Sequence, residues 1–161
     1  MSAHSHAPRL AARADPPNAS RAALLERVTT HWVVQLRMAL TPLDLTPAQY
    51  ALLVAAAWLN AKRAAVRQSE IAAHANTDPV MTSEVLRTLE SRGLLERAPH
   101  PTDRRAKSIL VTEAGGALAD KARRLVEATE TRFFEQGTPE FGTLAKALKK
   151  GGRGEQLDRR A

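Results

Sequence analysis

The sequence of 161 residues contains no cysteine, which excludes disulfide bonds, thiolate metal sites and regulation by cysteine oxidation. No apolar run approaches the length of about 20 residues that spans a bilayer, and the N-terminus lacks the apolar stretch of a signal peptide. We therefore expect a cytoplasmic protein that has no membrane partner.

Aromatic side chains are also scarce, at 4% of the chain, so leucine, alanine and valine must fill most of the core. This composition favours helices over sheets, and a hydrophobic content of 43% is enough for one domain of ordinary size. We predict a single domain over residues 21–150. Residues 1–20, with three prolines and no periodicity, are predicted to form a disordered arm, and residues 151–161 a charged tail.

Basic residues outnumber acidic residues by 24 to 17, which gives a formal net charge of +7. A balance of this sign favours polyanionic partners, although by itself it does not separate nucleic acids from acidic membranes. The net charge therefore indicates a polyanionic partner but not its kind. The residues that contact the partner must be found in local sequence patterns.

Two short helices joined by a tight turn are predicted between residues 68 and 92, with the spacing of a helix-turn-helix. The first covers Gln68–Ala75, and Arg67 stands where a better N-cap residue is preferred. The second begins at Pro79, after Thr77 or Asp78, either of which can cap it.

The second of these helices is amphipathic. Its helical period turns one group of side chains toward the core, namely Asp78, Thr82, Val85, Leu86 and Leu89. The same period turns another group of side chains outward, namely Val80, Ser83, Glu84, Arg87 and Ser91. One side of this helix is thus free to enter a groove of DNA.

A basic β-hairpin is predicted after the second helix, which Gly93 ends. Its strands are expected over residues 94–97 and 106–111, with a proline-containing loop over residues 98–105 between them. Residues 46–111 are therefore interpreted as a winged helix-turn-helix. Residues 21–40, 112–136 and 139–150 are predicted to form three more helices, whose apolar stripes exceed what packing within one chain requires.

Arg87 is the best candidate for reading bases, because arginine makes paired hydrogen bonds to the guanine edge in the major groove. Val80 and Ser83 share its face, and the alternative is that Arg87 is an ordinary surface residue. Glu84 opposes binding near phosphates unless it accepts a hydrogen bond from a cytosine amine or pairs with Arg87, and we favour the pairing.

The wing concentrates positive charge, and its proposed DNA contacts are Asp103, Arg104, Arg105 and Lys107. A hairpin tip of this charge can reach a DNA backbone or a narrow minor groove. The alternative is a solvated loop with no partner.

Four segments resemble the MarR (multiple-antibiotic-resistance regulator) family of bacterial winged-helix transcription factors. They are LTPAQYALL (45–53), QSEIAAHA (68–75), LESRGLLER (89–97) and PTDRRAKSILVTEAG (101–115), and the last two together are specific. The resemblance implies that Asp103 pairs with Arg105 and aims it at the minor groove. At Glu84 the sequence departs from the basic or neutral residue usual in relatives.

The resemblance also implies a homodimer, in which the first, fifth and sixth helices of two chains intertwine. Family members often bind small phenolic or acidic effectors between this dimerisation layer and the DNA-binding unit. The corresponding candidates in this sequence are His31, Trp32, Gln35 and Arg37. The alternative places Trp32 in the dimer interface and the other three on the surface.

The expected fold is mainly α, with a small β-hairpin wing and a helical dimerisation layer. The expected function is a ligand-responsive repressor that binds a pseudo-palindromic operator as a homodimer. The alternatives are a winged-helix module that binds protein and a sequence-neutral DNA-coating protein. We expect no enzyme activity, metal or cofactor, because glycine-rich nucleophile turns, phosphate loops and paired histidine ligands are absent from the sequence.

Overall fold

Helices and a two-stranded hairpin follow one another in the described part of this computed structural model, which covers residues 21–63, 65–101 and 107–135. They are α1 (Arg21–Leu40), a 3-10 turn (Thr41–Leu43), α2 (Pro47–Asn60), α3 (Gln68–Ala75), α4 (Pro79–Ser91), β1 (Leu95–Pro99), β2 (Lys107–Val111) and α5 (Glu113–Glu135). The mainly α fold with a β-hairpin wing is confirmed. The predicted N-terminal arm, sixth helix and C-terminal tail lie outside the described residues.

The chain divides between Gln35 and Leu36 into two units. Within the first, α1 exposes the apolar side chains of Leu25 and Val34. The second contains the end of α1 and the remaining elements, and it holds the helix-turn-helix and the wing.

Helix α2 is the centre of the second unit, since α3, α4, α5 and β2 all pack against it. It begins with a capping box, in which the Thr46 hydroxyl accepts from the Gln49 N–H at 3.2 Å and the Gln49 side chain accepts from the Thr46 N–H at 2.9 Å. Its buried residues are Leu52, Leu53, Ala55, Ala56 and Leu59. Helical spacing in the sequence favours a buried side of Tyr50, Leu53, Val54 and Ala57, of which only Leu53 is fully buried, because α2 is covered on several sides.

The start of α3 is stabilised by Glu70, whose role was not predicted from the sequence. The Glu70 carboxylate accepts from the backbone N–H of Arg67 at 2.7 Å, which compensates for the weak N-cap. The other end of α3 contacts α2, where the rings of Trp58 and His74 stack at 4.4 Å and Lys62 Nζ lies 3.4 Å from the Trp58 ring centre. These contacts fix the first helix of the helix-turn-helix on the core.

Helix α5 begins directly beneath the hairpin. The Thr112 hydroxyl caps it by accepting from the Gly115 N–H at 3.0 Å, and donates to the carbonyl of Gly93 at 2.8 Å. Gly115 is buried, and a Cβ atom at this position would overlap the carbonyl oxygen of Leu94. The close approach of backbone to backbone joins α5 to the segment between α4 and β1.

Candidate nucleic-acid interface

Helix α4 has a well-defined start. The Asp78 carboxylate accepts from the backbone N–H groups of Val80 at 2.8 Å and Met81 at 3.1 Å, and Pro79 occupies the first helical position. Thr77 does not cap the helix; its hydroxyl contacts that of the buried Thr82 at 2.8 Å. Asn76 ends α3 in the left-handed conformation, at φ 50°, which asparagine tolerates better than most residues.

The two sides of α4 differ sharply in exposure. Thr82, Leu86 and Leu89 are buried, as predicted, whereas Val85 is half-buried and Asp78 is exposed because it caps the helix from outside its first turn. On the opposite side the exposed residues include Val80, Glu84 and Arg87, and Val80 is 69% exposed despite being apolar. Ser83, which was predicted to point away from the core, is half-buried, because it lies at the edge of the exposed face.

Glu84 and Arg87 do not form the ion pair that the sequence favoured. Among the residues that the structure describes, ion pairs link α4 to other parts of the fold, and none includes Glu84 or Arg87. Both side chains are exposed. The face of α4 thus presents one free anion and one free cation.

Two arginines connect the C-terminal part of α4 to other parts of the fold. Arg92 donates to the backbone carbonyl of Asp44 at 2.7 Å, and Arg97 on β1 forms an ion pair with Glu90 at 2.8 Å. The sequence alone would place Arg97 with the free charges of the wing, but its side chain is only 23% exposed. It links the hairpin to α4 and adds no free charge to the wing.

The wing is anchored to α2 and to the segment before α3. Strand β1 pairs with β2 in antiparallel register from Leu95 opposite Val111 to Pro99 opposite Lys107. The Asn60 side chain donates to the carbonyl of Ile109 at 3.1 Å and accepts from the N–H of Val111 at 2.7 Å. The Val66 carbonyl accepts from the Ile109 N–H at 2.8 Å, so the segment before α3 pairs briefly with the wing.

Of the proposed wing contacts, Lys107 is exposed at the start of β2. Asp103, Arg104 and Arg105 lie outside the described residues, at the tip that joins the two strands. The strands were predicted over residues 94–97 and 106–111. The observed strands differ at their ends, because β1 continues to Pro99 before the chain turns.

The proposed effector residues fall into both units. In the first, His31 and Gln35 are one helical turn apart, with their Nε2 atoms separated by 3.4 Å, and Trp32 is half-buried. In the second, Arg37 lines a cavity of about 400 Å³. Other residues that line it are Thr41, Asp44, Thr46, Gln49, Thr88 and Arg92. The cavity lies where the end of α1, the start of α2 and the end of α4 meet.

Tyr50 is the only tyrosine of the chain and lies half-buried on α2. Burial raises the pKa of its hydroxyl above the ordinary value, and the carboxylates of Glu127 and Glu130 on α5 raise this pKa further, whereas Arg123 lowers it. The phenol is therefore protonated at neutral pH and able to donate a hydrogen bond.

A helix-turn-helix whose second helix is capped and exposed, followed by an antiparallel hairpin, defines the winged helix-turn-helix class of proteins. The family model described as the MarR family matches residues 45–107. The chain is 36% identical over 118 residues to the helix-turn-helix transcriptional regulator YdcH of Bacillus subtilis, covering 73% of this chain and 80% of that protein. The chain belongs to the MarR family and is a DNA-binding transcriptional regulator.

Solved structures agree with this assignment. CouR from Rhodococcus jostii, solved with bound p-coumaroyl-CoA, is 32% identical and superposes with a TM-score of 0.69, covering 86% of this chain and 92% of that chain. A variant of MarR from E. coli, solved with operator DNA, is 26% identical with a TM-score of 0.70, covering 85% of this chain and 98% of that chain. Over the described residues, none of the helices has the length and apolar content needed to cross a membrane.

Proposed function

We propose that this protein is a homodimeric, sequence-specific repressor that responds to a small molecule. Each subunit places α4 in the major groove of one half of a pseudo-palindromic operator and its wing in the flanking minor groove. The observation that carries the proposal is the exposed face of α4, on which both Val80 and Arg87 are exposed. Binding across a promoter represses transcription by occlusion.

The exposed face of α4 has the chemistry of base readout. Arg87 can donate two hydrogen bonds to the acceptors of guanine, and Val80 can pack on the methyl group of thymine. The half-buried Ser83, at the edge of this face, contributes a hydroxyl to a base or a phosphate. The MarR variant solved with operator DNA supports binding to an operator.

The wing provides affinity in this proposal. Lys107 and Arg104 contact the phosphate backbone, and Arg105 enters the minor groove, oriented by a hydrogen bond to Asp103. Because the minor groove of an A-tract is narrow and strongly negative, the wing favours A·T flanks without reading individual bases.

The role of the wing is tested by whether one substitution weakens or tightens operator binding. Asp103→Ala is expected to weaken operator binding, although it removes a negative charge near DNA, because Arg105 loses its orienting partner. Arg105→Ala should weaken binding and lower the salt slope by about one phosphate equivalent per engaged wing. Binding constants measured by fluorescence anisotropy over a salt series give both quantities. Tighter binding by Asp103→Ala would show that the wing acts only as an electrostatic patch.

A small phenolic or acidic effector is proposed to bind through His31, Trp32, Gln35 and Arg37. The cavity beside Arg37 has the volume of a small-molecule site, and Arg37 supplies positive charge for an acidic group, whereas Arg92 is paired with the carboxylate of Asp44 at 3.4 Å. CouR, solved with an acyl-CoA, supports an effector of this kind. The effector must bind the DNA-free form better than the DNA-bound form. A ligand with equal affinity for both forms does not shift the equilibrium between them. Screening aromatic acids for release of operator DNA tests this part of the proposal.

The alternatives are a winged-helix module that binds protein and a protein that coats DNA without sequence preference. Neither is favoured by a particular contact in the described residues. A repressor of this kind binds the chromosome, so we propose a cytoplasmic location. DNA binding itself requires no catalytic activity and no cofactor.

Arg87→Ala is the most direct test of base readout. It should lose about 1 to 3 kcal/mol of binding free energy on the cognate operator and much less on random DNA, because hydrogen bonds to guanine are lost only where guanine is present. Arg124→Ala, which removes the same charge from an exposed position on α5, serves as the matched control and should change both affinities little. Equal losses by Arg87→Ala on operator and random DNA would mean that Arg87 contacts only phosphate.

A further inference from the structure

We propose that Glu84 selects a cytosine in each half of the operator by accepting a hydrogen bond from the cytosine N4 amine. The inference rests on the proposed function, since it requires α4 to lie in the major groove. It assigns a base to a residue whose charge otherwise opposes DNA binding.

The position of Glu84 on α4 places it among the base-contacting candidates. At about 100° per residue, Val80, Glu84 and Arg87 lie within about 60° of one another on the helix surface. All three are exposed, whereas the buried Leu86 and Leu89 lie on the other side. With a rise of about 1.5 Å per residue, Glu84 lies about 6 Å beyond Val80 and about 4.5 Å before Arg87. A helix lying along the groove would thus bring the three side chains to neighbouring base pairs.

The charge of Glu84 is not neutralised by any of the described residues. It has no ion-pair partner among them, and the hydroxyl of Thr88, one turn further on, donates to the Glu84 backbone carbonyl at 3.1 Å rather than to its carboxylate. A free carboxylate within a Debye length of several phosphates weakens binding to every sequence. A hydrogen-bond donor on the DNA offsets this repulsion at the sequences that present it.

The major groove offers two such donors, the N4 amine of cytosine and the N6 amine of adenine. An ionised carboxylate only accepts hydrogen bonds, and the N7 atom of adenine, an acceptor beside N6, would face it unfavourably. Cytosine has no acceptor at that edge, so it is the better partner. Arg87 complements this choice, because guanine presents the acceptors that a guanidinium binds.

The base preference can be measured directly by selecting bound duplexes from a random library with the full-length chain. The wild-type protein should enrich one position for cytosine, with about a tenfold loss of affinity when the C·G pair becomes T·A. Glu84→Gln should change the preference at that position from cytosine to adenine, because glutamine both donates to N7 and accepts from N6. Glu84→Ala should enrich no base there. Both variants should keep the wild-type preferences at the other positions.

Glu96→Gln is the matched control, since it removes the same charge from an exposed site on β1. It should tighten binding to all sequences slightly and leave cytosine preferred. If Glu84→Gln and Glu84→Ala gave the wild-type base preferences with uniformly tighter binding, Glu84 would be only a source of repulsion and the inference would be overturned. Enrichment of no sequence by the wild-type protein would instead overturn the proposed function itself.

Discussion

Replacing Gly115 with alanine is expected to destabilise the protein by about 3 kcal/mol or more. The added Cβ would overlap the carbonyl oxygen of Leu94, and it would lie 3.0 Å from the carbonyl carbon of Leu94 and 3.1 Å from Val111 Cγ1. Because the nearest atoms belong to the backbone, no rotamer change relieves the overlap. The first turn of α5 and the start of β1 would have to separate. Urea unfolding at a fixed protomer concentration measures the loss.

The neighbouring glycine provides a control for helix propensity. A Cβ atom at Gly116 meets no atom within 4 Å, so Gly116→Ala should stabilise the protein by about 0.5 to 1 kcal/mol. A loss of stability at Gly115 and a gain at Gly116 would distinguish the effect of steric overlap from the effect of helix propensity. A stabilising Gly115→Ala would show that α5 does not approach Leu94 this closely.

The second large effect is expected at the proposed dimer interface, where Leu125→Asp should prevent association. Leu125 is a large apolar residue left 37% exposed on α5, and α1 also leaves apolar side chains exposed, including Val34 and Met38. Burying an unpaired carboxylate between two chains would cost about 4 kcal/mol, or about a thousandfold in the dimer dissociation constant. Sedimentation velocity over a range of concentrations gives this constant.

Thr131→Asp is a suitable control because it adds the same charge at an exposed position about 120° around α5 from Leu125. It should leave the sedimentation coefficient unchanged. A folded, monomeric wild-type protein at micromolar concentration would contradict the proposed dimer, and with it the two-fold operator.

Much of the fold follows from local signals in the sequence. The starts of α2 and α4 can be read from the sequence, because Thr46 with Gln49, and Asp78 with Pro79, are typical of helix N-termini and act through contacts only two or three residues away. The stop after α4 was predicted because Gly93, at φ 69°, tolerates a conformation that other residues avoid. Helix ends that depend on such short-range contacts can be predicted from the sequence without knowledge of tertiary packing.

Features that depend on distant partners were not predicted. The role of Arg97 was missed because it depends on Glu90, a residue in another element, which comes within 2.8 Å only after β1 folds back on α4. In the sequence, two adjacent glycines indicate only a weak first turn of α5, whereas Gly115 is the position at which Leu94 approaches the helix. The burial of α2 on several sides could not be predicted either, because a single amphipathic face does not describe a helix with neighbours on several sides.

The central claim, sequence-specific DNA binding through α4, is tested most directly by one titration series. The full-length chain is titrated into fragments of the genome that encodes it and into random duplex DNA at several salt concentrations. The account predicts at least one fragment bound about a thousandfold more tightly than random DNA at physiological salt, with both affinities falling as salt increases. Equal affinity for all fragments at every salt concentration would contradict it, and would identify a protein that coats DNA without reading it.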